Sequence, residues 1–531
     1  MGALTLKSLT FYLRNWDTEK SESFDPTDGF GSNTRVYIHN NQILLIEPEF
    51  DIQTFNTWLT DRGRQFFDGL NWIKSNSNKN FLNSWHNISK QITQILYLYD
   101  HCNYQSYKKH FFTIIFENIS LEVLSLLIII SQNYSFINIK RADSFNLNND
   151  LESNYQLYLT TNNKTKLSNS SLCILLSTNP RYEGYLLNLS LRQRFVKGNF
   201  KCFSIGSLIN LTFPVSFLGS NLNCIKSIAE GKHLICQSLK LAKNPLIIYN
   251  NEIFKRVDRN SIIKTLQILF YLNIFNKSWN NINCFSSSLS ETGNQSLQSF
   301  SSITKNDLVN SSILYLLNIN TNSISNLKVI ANYKILNLEN KILNINKLFL
   351  DQSSFDYKNL SYFKNNFNNQ KVNYFFFKSS FFYENEESFI NTEGLIKRTT
   401  KLIFKKNSKS HWQLLRKIFK LFKNTIVFLN NKNNDLIFFN LKNKNRFQNF
   451  VYFHFQATKS LTNISFYLST KTNSFNIFKN KFKIRQNKLF STNFKYWLDD
   501  FYSGSKDEYS QNSLTMSNCS KILRFQTTNF F

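Results

Sequence analysis

The positions of cysteine, carboxylate and histidine set what chemistry this chain could carry. Its seven cysteines are Cys102, Cys173, Cys202, Cys224, Cys236, Cys284 and Cys519. Zinc and iron–sulfur sites usually draw thiolates from tight local spacings such as C-x-x-C. No such pair occurs, and the nearest two, Cys224 and Cys236, have eleven residues between them. Cys173 lies inside Leu172-Cys173-Ile174-Leu175-Leu176, where a buried thiol is the plain reading. The odd count argues against a disulfide framework, so the cysteines read as unligated. Two acidic clusters occur, Asp25 with Asp28 and Glu384 with Glu386 and Glu387. Paired carboxylates can do acid–base work or bind cations, but no histidine stands at a useful spacing, and both read as solvated loops. The basic run Lys405-Lys406-Asn407-Ser408-Lys409 reads the same way. No H-E-x-x-H, P-loop or G-x-S-x-G is present.

One turn is better placed for binding. Thr178-Asn179-Pro180-Arg181 follows the apolar strand Ser171 to Ser177 and precedes the helical spacing of Tyr182 to Val196. In open α/β sheets ligands collect at the carboxyl ends of strands, and helix N-termini attract anions. A pyrophosphate also needs glycines that let the backbone approach, and there is no G-x-G-x-x-G. The turn therefore reads as an ordinary strand-to-helix connection. Catalytic, cofactor-binding and metal-binding residues are all expected to be none.

Around that turn the chain alternates strand and helix. Strands are expected at 110–116, 136–139, 171–177, 200–205 and 246–249, with helices at 119–132, 182–196, 223–229, 233–243 and about 260–275. Ser120 is a possible N-cap, and Gly198 fits the left-handed position just past a helix end. Continuous apolar strands alternating with helices argue for parallel sheets covered on both faces. Before them, Thr34–Ile38 and Gln42–Ile46 flank His39-Asn40-Asn41, a hairpin signal because Asn tolerates φ > 0. The expected fold class is α/β, with a small N-terminal β-rich domain followed by α/β domains. The expected division is a β-rich domain at 1–75, an α/β domain at 95–280, a Ser/Asn/Gln-rich linker or loop at 281–306, a second α/β segment at 307–425, and a divergent Asn/Lys/Phe-rich region at 426–531.

Bulk composition adds limits. The 531 residues suggest two to four domains, and 42% hydrophobic content is enough for a large core. There are 53 Phe but only 13 Gly and 5 Pro, well below average usage of roughly 7% and 5%. Asn, Lys, Ile and Phe are residues of AT-rich codons, which points to genome bias of the organellar kind. The net charge of +29 would suit a nucleic-acid or anionic-membrane partner. Lysine is spread along the chain instead of gathered on one tail, so a solvated basic surface is the preferred reading and no nucleic-acid partner is expected. The longest apolar stretch, Leu121 to Ile130, is shorter than the roughly 20 residues a transmembrane helix needs, and none is expected. No secretory or transit signal is expected at Met1 to Asp25.

Several ordered segments go further. Gly2-Ala3-Leu4-Thr5 with Arg14-Asn15-Trp16 is similar to G-A-L-T … R-x-W. Glu22 to Val36 resembles E-S-I-D-x-x-D-x-x-G-S-N-I-x-V, and Trp58-Leu59-Thr60-Asp61-Arg62 with Asp68-Gly69-Leu70 resembles W-I-S-D-K … D-G-L. Thr178 to Glu183 matches T-N-P-R-x-E, followed by Ile205-Gly206-Ser207, Leu211-Thr212 and Leu218-Gly219. Tyr383-Glu384, Asn391-Thr392-Glu393-Gly394 and Trp412 to Arg416 resemble Y-x-E, N-T-E-G and W-K-I-L-R. These motifs belong to the molybdopterin-oxidoreductase-like part of the 75-kilodalton iron–sulfur subunit family of respiratory complex I. They cover about 1–275 and 375–420.

The resemblance implies a fold like the dimethyl-sulfoxide-reductase class. It also implies a structural place in the peripheral arm of complex I, supporting electron flow from NADH through iron–sulfur clusters to ubiquinone. It implies no molybdenum and no redox centre in this chain. The family places the last cysteine of a cluster motif just before G-A-L-T, where this chain has Met1. A separately encoded cluster-bearing N-terminal half is therefore an expected partner, with other peripheral-arm subunits. The expected location is the matrix side of the mitochondrial inner membrane, with the gene in the organelle genome. A molybdopterin-dependent oxidoreductase and a basic organellar RNA-binding or ribosomal protein stay open as alternatives.

Overall fold

The computed structural model describes residues 13–50, 58–69, 112–133, 137–142, 159, 167–206, 209–256, 258–271, 282–297, 300–304, 307, 311, 313–319, 348–353, 373–404, 409–419 and 513–528. Cys102 and Lys405 to Ser408 lie outside them, as do Gly2 to Thr5 and nearly all of 426–531.

The N-terminal unit is an antiparallel sheet of β1 (Glu19–Phe24), β2 (Asn33–His39) and β3 (Gln42–Pro48). Alternation sends Val36 and Ile38 of β2 to one buried face, and a bulge in the β2–β3 register lets Ile43 and Ile46, three residues apart, join them there. Asn40 and Asn41 turn the hairpin at φ 47° and 65°, as their side-chain chemistry allows. The face does not close on its own. It packs on Phe66 and Phe67, beyond α1 (Asp61–Gln65), and on Phe381, Phe382, Tyr383, Leu402 and Ile403 from far along the chain.

Two five-stranded parallel sheets follow. One has the order β8-β7-β6-β9-β10, formed by β6 (Leu172–Leu176), β7 (Lys201–Ile205), β8 (Ser216–Gly219), β9 (Pro245–Asn250) and β10 (Ile282–Phe285). All five residues of β6 are buried. Leu172, Ile174 and Leu176 face α5 (Leu222–Ala229), α6 (Ile235–Leu241) and α7 (Arg259–Tyr271). Cys173 and Leu175 face α4 (Tyr185–Val196). Each fully buried Leu or Ile contributes about 1.5–3 kcal/mol, so an all-apolar strand is held only at the centre of such a sandwich.

The other sheet runs β13-β12-β11-β4-β5, formed by β4 (Phe112–Phe116), β5 (Ile137–Arg141), β11 (Ile313–Leu317), β12 (Leu348–Ser353) and β13 (Asn373–Lys378). Phe112, Ile114 and Phe116 pack with α2 (Leu121–Asn133) and with Leu414, Leu415, Ile418 and Phe419 of the helix at 411–419, here α9. A last hairpin joins β14 (Ser388–Ile390) to β15 (Ile396–Arg398), and α10 (Leu514–Thr528) lies near α1.

Among the described residues the strands and helices expected from 110 to about 275 are present, and three points differ between 110 and 306. The helix expected over 182–196 is split into α3 (Pro180–Glu183) and α4 at Gly184, whose backbone leaves the helical region at φ −155° and ψ 77° and where a Cβ would stand 2.7 Å from the Phe285 ring. Ser120 precedes α2, but its buried hydroxyl makes no hydrogen bond. The stretch 281–306, expected as a linker, contains β10 and the helix α8 (Leu289–Leu297). Its serines and asparagines imitate a loop while being used to bond two sheets together. Sheet membership also groups the strands differently from a linear division. β4 and β5, within 95–280, pair through β4 with β11, within 307–425.

Candidate functional site

Each parallel sheet has a switch point, where successive strands are added in opposite directions. One lies between β6 and β9, the other between β4 and β11. Crevices at the carboxyl ends of such strands are where this architecture takes ligands. Here both are closed by the protein's own side chains.

At the first switch point β6 is followed by Ser177, at φ 53°, and by buried Thr178. Pro180 sits in the first turn of α3, which its fixed φ suits. The N–H of Asn179, which could face an anion, donates to Glu183 Oε2 at 3.1 Å. The same oxygen accepts from Asn250 Nδ2 at 3.0 Å, tying the ends of β6 and β9. The chain's own carboxylate thus occupies the anion position at this helix start. Arg181 points elsewhere, donating to Asn210 O at 3.3 Å.

The next loop adds a second carboxylate. Asn251, fully buried, donates to Glu291 Oε2 at 3.0 Å and to Ser286 Oγ at 3.3 Å. Lys255 Nζ reaches Glu291 Oε1 at 3.2 Å. Glu291 belongs to α8, which also spans to the second switch point. Ser290 Oγ donates to Asn118 Oδ1 at 3.0 Å, and Asn294 Nδ2 to Glu117 O at 3.5 Å. Beyond β11, Asn318 turns at φ 48° and its side chain donates to Asn118 O. One helix therefore bonds the carboxyl ends of both sheets.

The N-terminal unit forms the lid. Asp25 Oδ1 accepts from Thr27 N at 2.8 Å and Thr27 Oγ1 at 2.7 Å. Asp28 Oδ1 accepts from Phe30 N at 3.1 Å and Gly31 N at 3.0 Å. Arg62 donates to Thr27 O. Burial, then the neighbouring Asp25, push the Asp28 carboxyl up to about 8, so at neutral pH it is largely protonated despite Arg62. Tyr185 Oη donates to Trp58 O at 2.6 Å and meets Ser32 Oγ at 2.6 Å. Burial, then Asp28, hold that phenol well above its ordinary value. Gly29 is obligatory here. A Cβ would stand 1.9 Å from Ser286 O and 2.6 Å from Thr392 Cγ2. Thr392 N donates to Gly29 O at 2.8 Å, and Asn391 Nδ2 to Phe30 O at 3.1 Å. Phe30 and Phe285 rings meet at 5.9 Å. Beside them, a groove lined by Ser32, Trp58, Asn391 and Lys397 holds room for about one water molecule.

The expected solvated carboxylates are therefore a correction. Asp25 and Asp28 are 0% and 2% exposed, and Glu384 and Glu387 are 3% and 7% exposed; only Glu386 is in solvent, paired with Arg398 at 3.0 Å. Backbone and amide donors make the burial tolerable. Glu384 Oε2 accepts from Phe381 N at 3.2 Å, and Glu387 Oε1 from Asn385 Nδ2 at 3.2 Å. Burial, then the nearby Glu122, push Glu387 up to about 8. Glu122 Oε2 accepts from Ser388 N at 3.0 Å, which ties α2 to β14.

The thiols are dispersed. Cys173 and Cys202 face each other on β6 and β7, and Cys173 is held well above its ordinary value, chiefly by its bond to Cys202 and by burial. Burial pushes Cys284 up to about 12. Among the described residues no three His, Cys, Asp or Glu side chains come together to hold a metal. Nor does any described helix have the length and apolarity to cross a membrane.

Sequence reasoning found the Thr178 turn through Glu183 and the Asp25–Asp28 loop, gave Glu183 no role, and missed Asn250, Asn251, Phe285, Ser286 and Glu291. The usable signal was position. Asn250 and Asn251 lie at the end of the apolar strand β9, whereas Phe285, Ser286 and Glu291 end or follow β10, whose Ile282-Asn283-Cys284-Phe285 offers no continuous apolar run.

Residues 101–337 match the model of the molybdopterin oxidoreductase domain. A molybdopterin is a bulky anionic group. The junction offers it Glu183 and Glu291, and no space between Gly29 and Ser286. The described residues of the junction do not fit it. The NADH-ubiquinone oxidoreductase 75 kDa subunit of Reclinomonas americana is 29% identical over 55% of this chain and 44% of its own. The NADH dehydrogenase [ubiquinone] iron-sulfur protein 1 of Solanum tuberosum is 25% identical over 53% and 38%. The mitochondrial NADH-ubiquinone oxidoreductase 78 kDa subunit of Neurospora crassa is 25% identical over 55% and 40%. The chain spans less than half the length of these relatives. This chain carries a molybdopterin oxidoreductase domain and, across about half its length, is homologous to the 75 kDa subunits of complex I.

Proposed function

We propose that the chain is a structural subunit of the peripheral arm of respiratory complex I, on the matrix side of the mitochondrial inner membrane, and that it holds no redox centre. One observation supports this most. The crevice where such a fold would take a cofactor is filled by Glu183, Phe285 and α8 and capped by Gly29. A body closed in this way affects electron transfer by placing and shielding a neighbour's clusters in a dry, low-dielectric surround.

The neighbour in this reading is a cluster-bearing iron–sulfur polypeptide of the same complex, with the gene for this chain in the organelle genome. Its contact is the unit within 1–75. Trp16 is 74% exposed, with the Arg14 guanidinium 5.2 Å from its ring centre, and Trp58 is 63% exposed. Large exposed aromatics beside arginine are the usual anchors of protein interfaces. Deleting residues 1–70 would also strip Phe24, Val36 and Ile46 from the core they share with 381–403, so point changes are the cleaner test. Trp16→Asp with Trp58→Asp should abolish co-purification of the iron–sulfur polypeptide at an unchanged melting temperature. Retained co-purification refutes the contact. Stoichiometric molybdenum or iron in the isolated full chain refutes the absence of a redox centre.

A further inference from the structure

The amino end of the β6-centred sheet lies opposite the junction and presents a different surface. Three loops meet there. Ser171 N donates to Asn244 O at 3.2 Å, Lys201 N to Ser171 O at 3.1 Å, and Arg194 Nε to Ser170 O at 2.8 Å. Helices α4 and α6 both end at this edge. Val196 closes α4 at 76% exposure, and Leu241 closes α6 at 85%. Leu234, the residue just before α6 and roughly 10 Å along the helix axis from Leu241, is 89% exposed on the same side. Lys197, Lys201, Lys240 and Lys243 are exposed around them. From residue 185 to 251 the sole carboxylate is Glu230. It is already paired with Lys232 at 2.8 Å and Lys226 at 3.8 Å.

Ligands of parallel sheets gather at the other end, so this surface needs a separate reason. The helix macrodipole accounts for cations beyond α4 and α6. It gives no account of three aliphatic side chains standing in water within a stretch that has almost no acid. The geometry points to this amino end as a docking surface for an acidic protein. Val196, Leu234 and Leu241 are its apolar anchors, and Lys197, Lys201, Lys240 and Lys243 pair with the partner's Asp and Glu side chains. Complementary charge sets orientation and partner choice, and the anchors supply the desolvated contact. A lipid surface is the poorer match, because interfacial binding takes a broad continuous apolar helix face, whereas α6 has seven residues and its leucines stand apart.

The test uses the assembly isolated through a tag on the full chain. A carbodiimide joins a lysine amine to a touching carboxylate as an amide, the reagent leaving as its urea. The expected products link Lys197, Lys201, Lys240 or Lys243 to Asp or Glu of one stoichiometric co-purifying polypeptide. Leu241→Asp with Lys243→Glu, and separately Lys197→Glu with Lys201→Glu, should lower recovery of that polypeptide by about tenfold or more at unchanged melting temperature. A lower melting temperature with the polypeptide retained means a helix-end role only and overturns the proposal. Cross-links confined to this chain overturn it too. So does binding of the full chain to anionic phospholipid vesicles, or to single-stranded RNA, that the same changes abolish. A chain that stays in an NADH-oxidising assembly without these cross-links defeats this inference alone. Cross-links within an assembly that lacks NADH oxidation defeat the proposed function alone.

Discussion

Glu387 offers the sharpest test of the buried electrostatics. Its carboxyl is held at about 8 against an ordinary 4.5, first by burial and then by Glu122. A carboxyl raised on folding contributes stability that is fully present below pH 4.5 and is lost as pH rises through about 8. Inside that window the folded chain holds one more proton than the unfolded chain. Each pH unit then removes about 1.4 kcal/mol, and the rise from pH 5 to 7.5 removes roughly 3 kcal/mol. Glu387→Gln keeps an oxygen for Asn385 Nδ2, now 3.2 Å away, and cannot ionise. Urea unfolding at half-unit steps from pH 5 to 8 should give a curve flatter by that slope, with the variant the more stable protein near pH 7.5. Parallel curves for the two proteins would show that Glu387 ionises as freely in the fold as outside it, and the argument from burial would fail.

Three further outcomes follow from the same structure. Phe285→Ala should cost about 3–5 kcal/mol in urea unfolding, because the ring is fully buried between Phe30 and Gly184; a loss under about 1 kcal/mol would mean the junction is not packed. Gly29→Ala should destabilise by about 1–3 kcal/mol or more, since its methyl meets backbone at Ser286 O, and a neutral result by thermal melting would contradict the closed lid. His411 is buried and held down to about 4. Its contribution is therefore present above pH 6.5 and lost as pH falls toward 4, so His411→Gln should flatten the acid limb of the melting curve, opposite in sign to Glu387.

How much of this was legible in the sequence depended on the kind of burial. β6, all apolar and central, could be read directly, because a strand covered on both faces has no polar side to hide. The turn at Asn40-Asn41 was equally plain, since few residues accept φ > 0. α8 escaped notice because Ser290, Glu291 and Asn294 are polar, and hydropathy treats polar as exposed. They are 7%, 6% and 2% exposed, and three of their side-chain bonds reach across to strand ends 40, 172 and 177 residues away. Asp28, Glu384 and Glu387 misled for the same reason. Asp28 and Glu384 accept from backbone N–H groups, which no side-chain pattern advertises, and Glu387 accepts from the amide of Asn385 two residues away. The return of β11 to pair with β4 is a long-range choice made by sheet packing, and local spacing carries no sign of it.

The claim on which the rest depends is membership in an NADH-oxidising assembly. Native-gel electrophoresis of membranes carrying the tagged full chain, stained in the gel for NADH dehydrogenase activity, tests it most directly. The account predicts that the tag lies in the activity-stained band of complex I. A tag that migrates apart from that band, or with ribosomes, contradicts it.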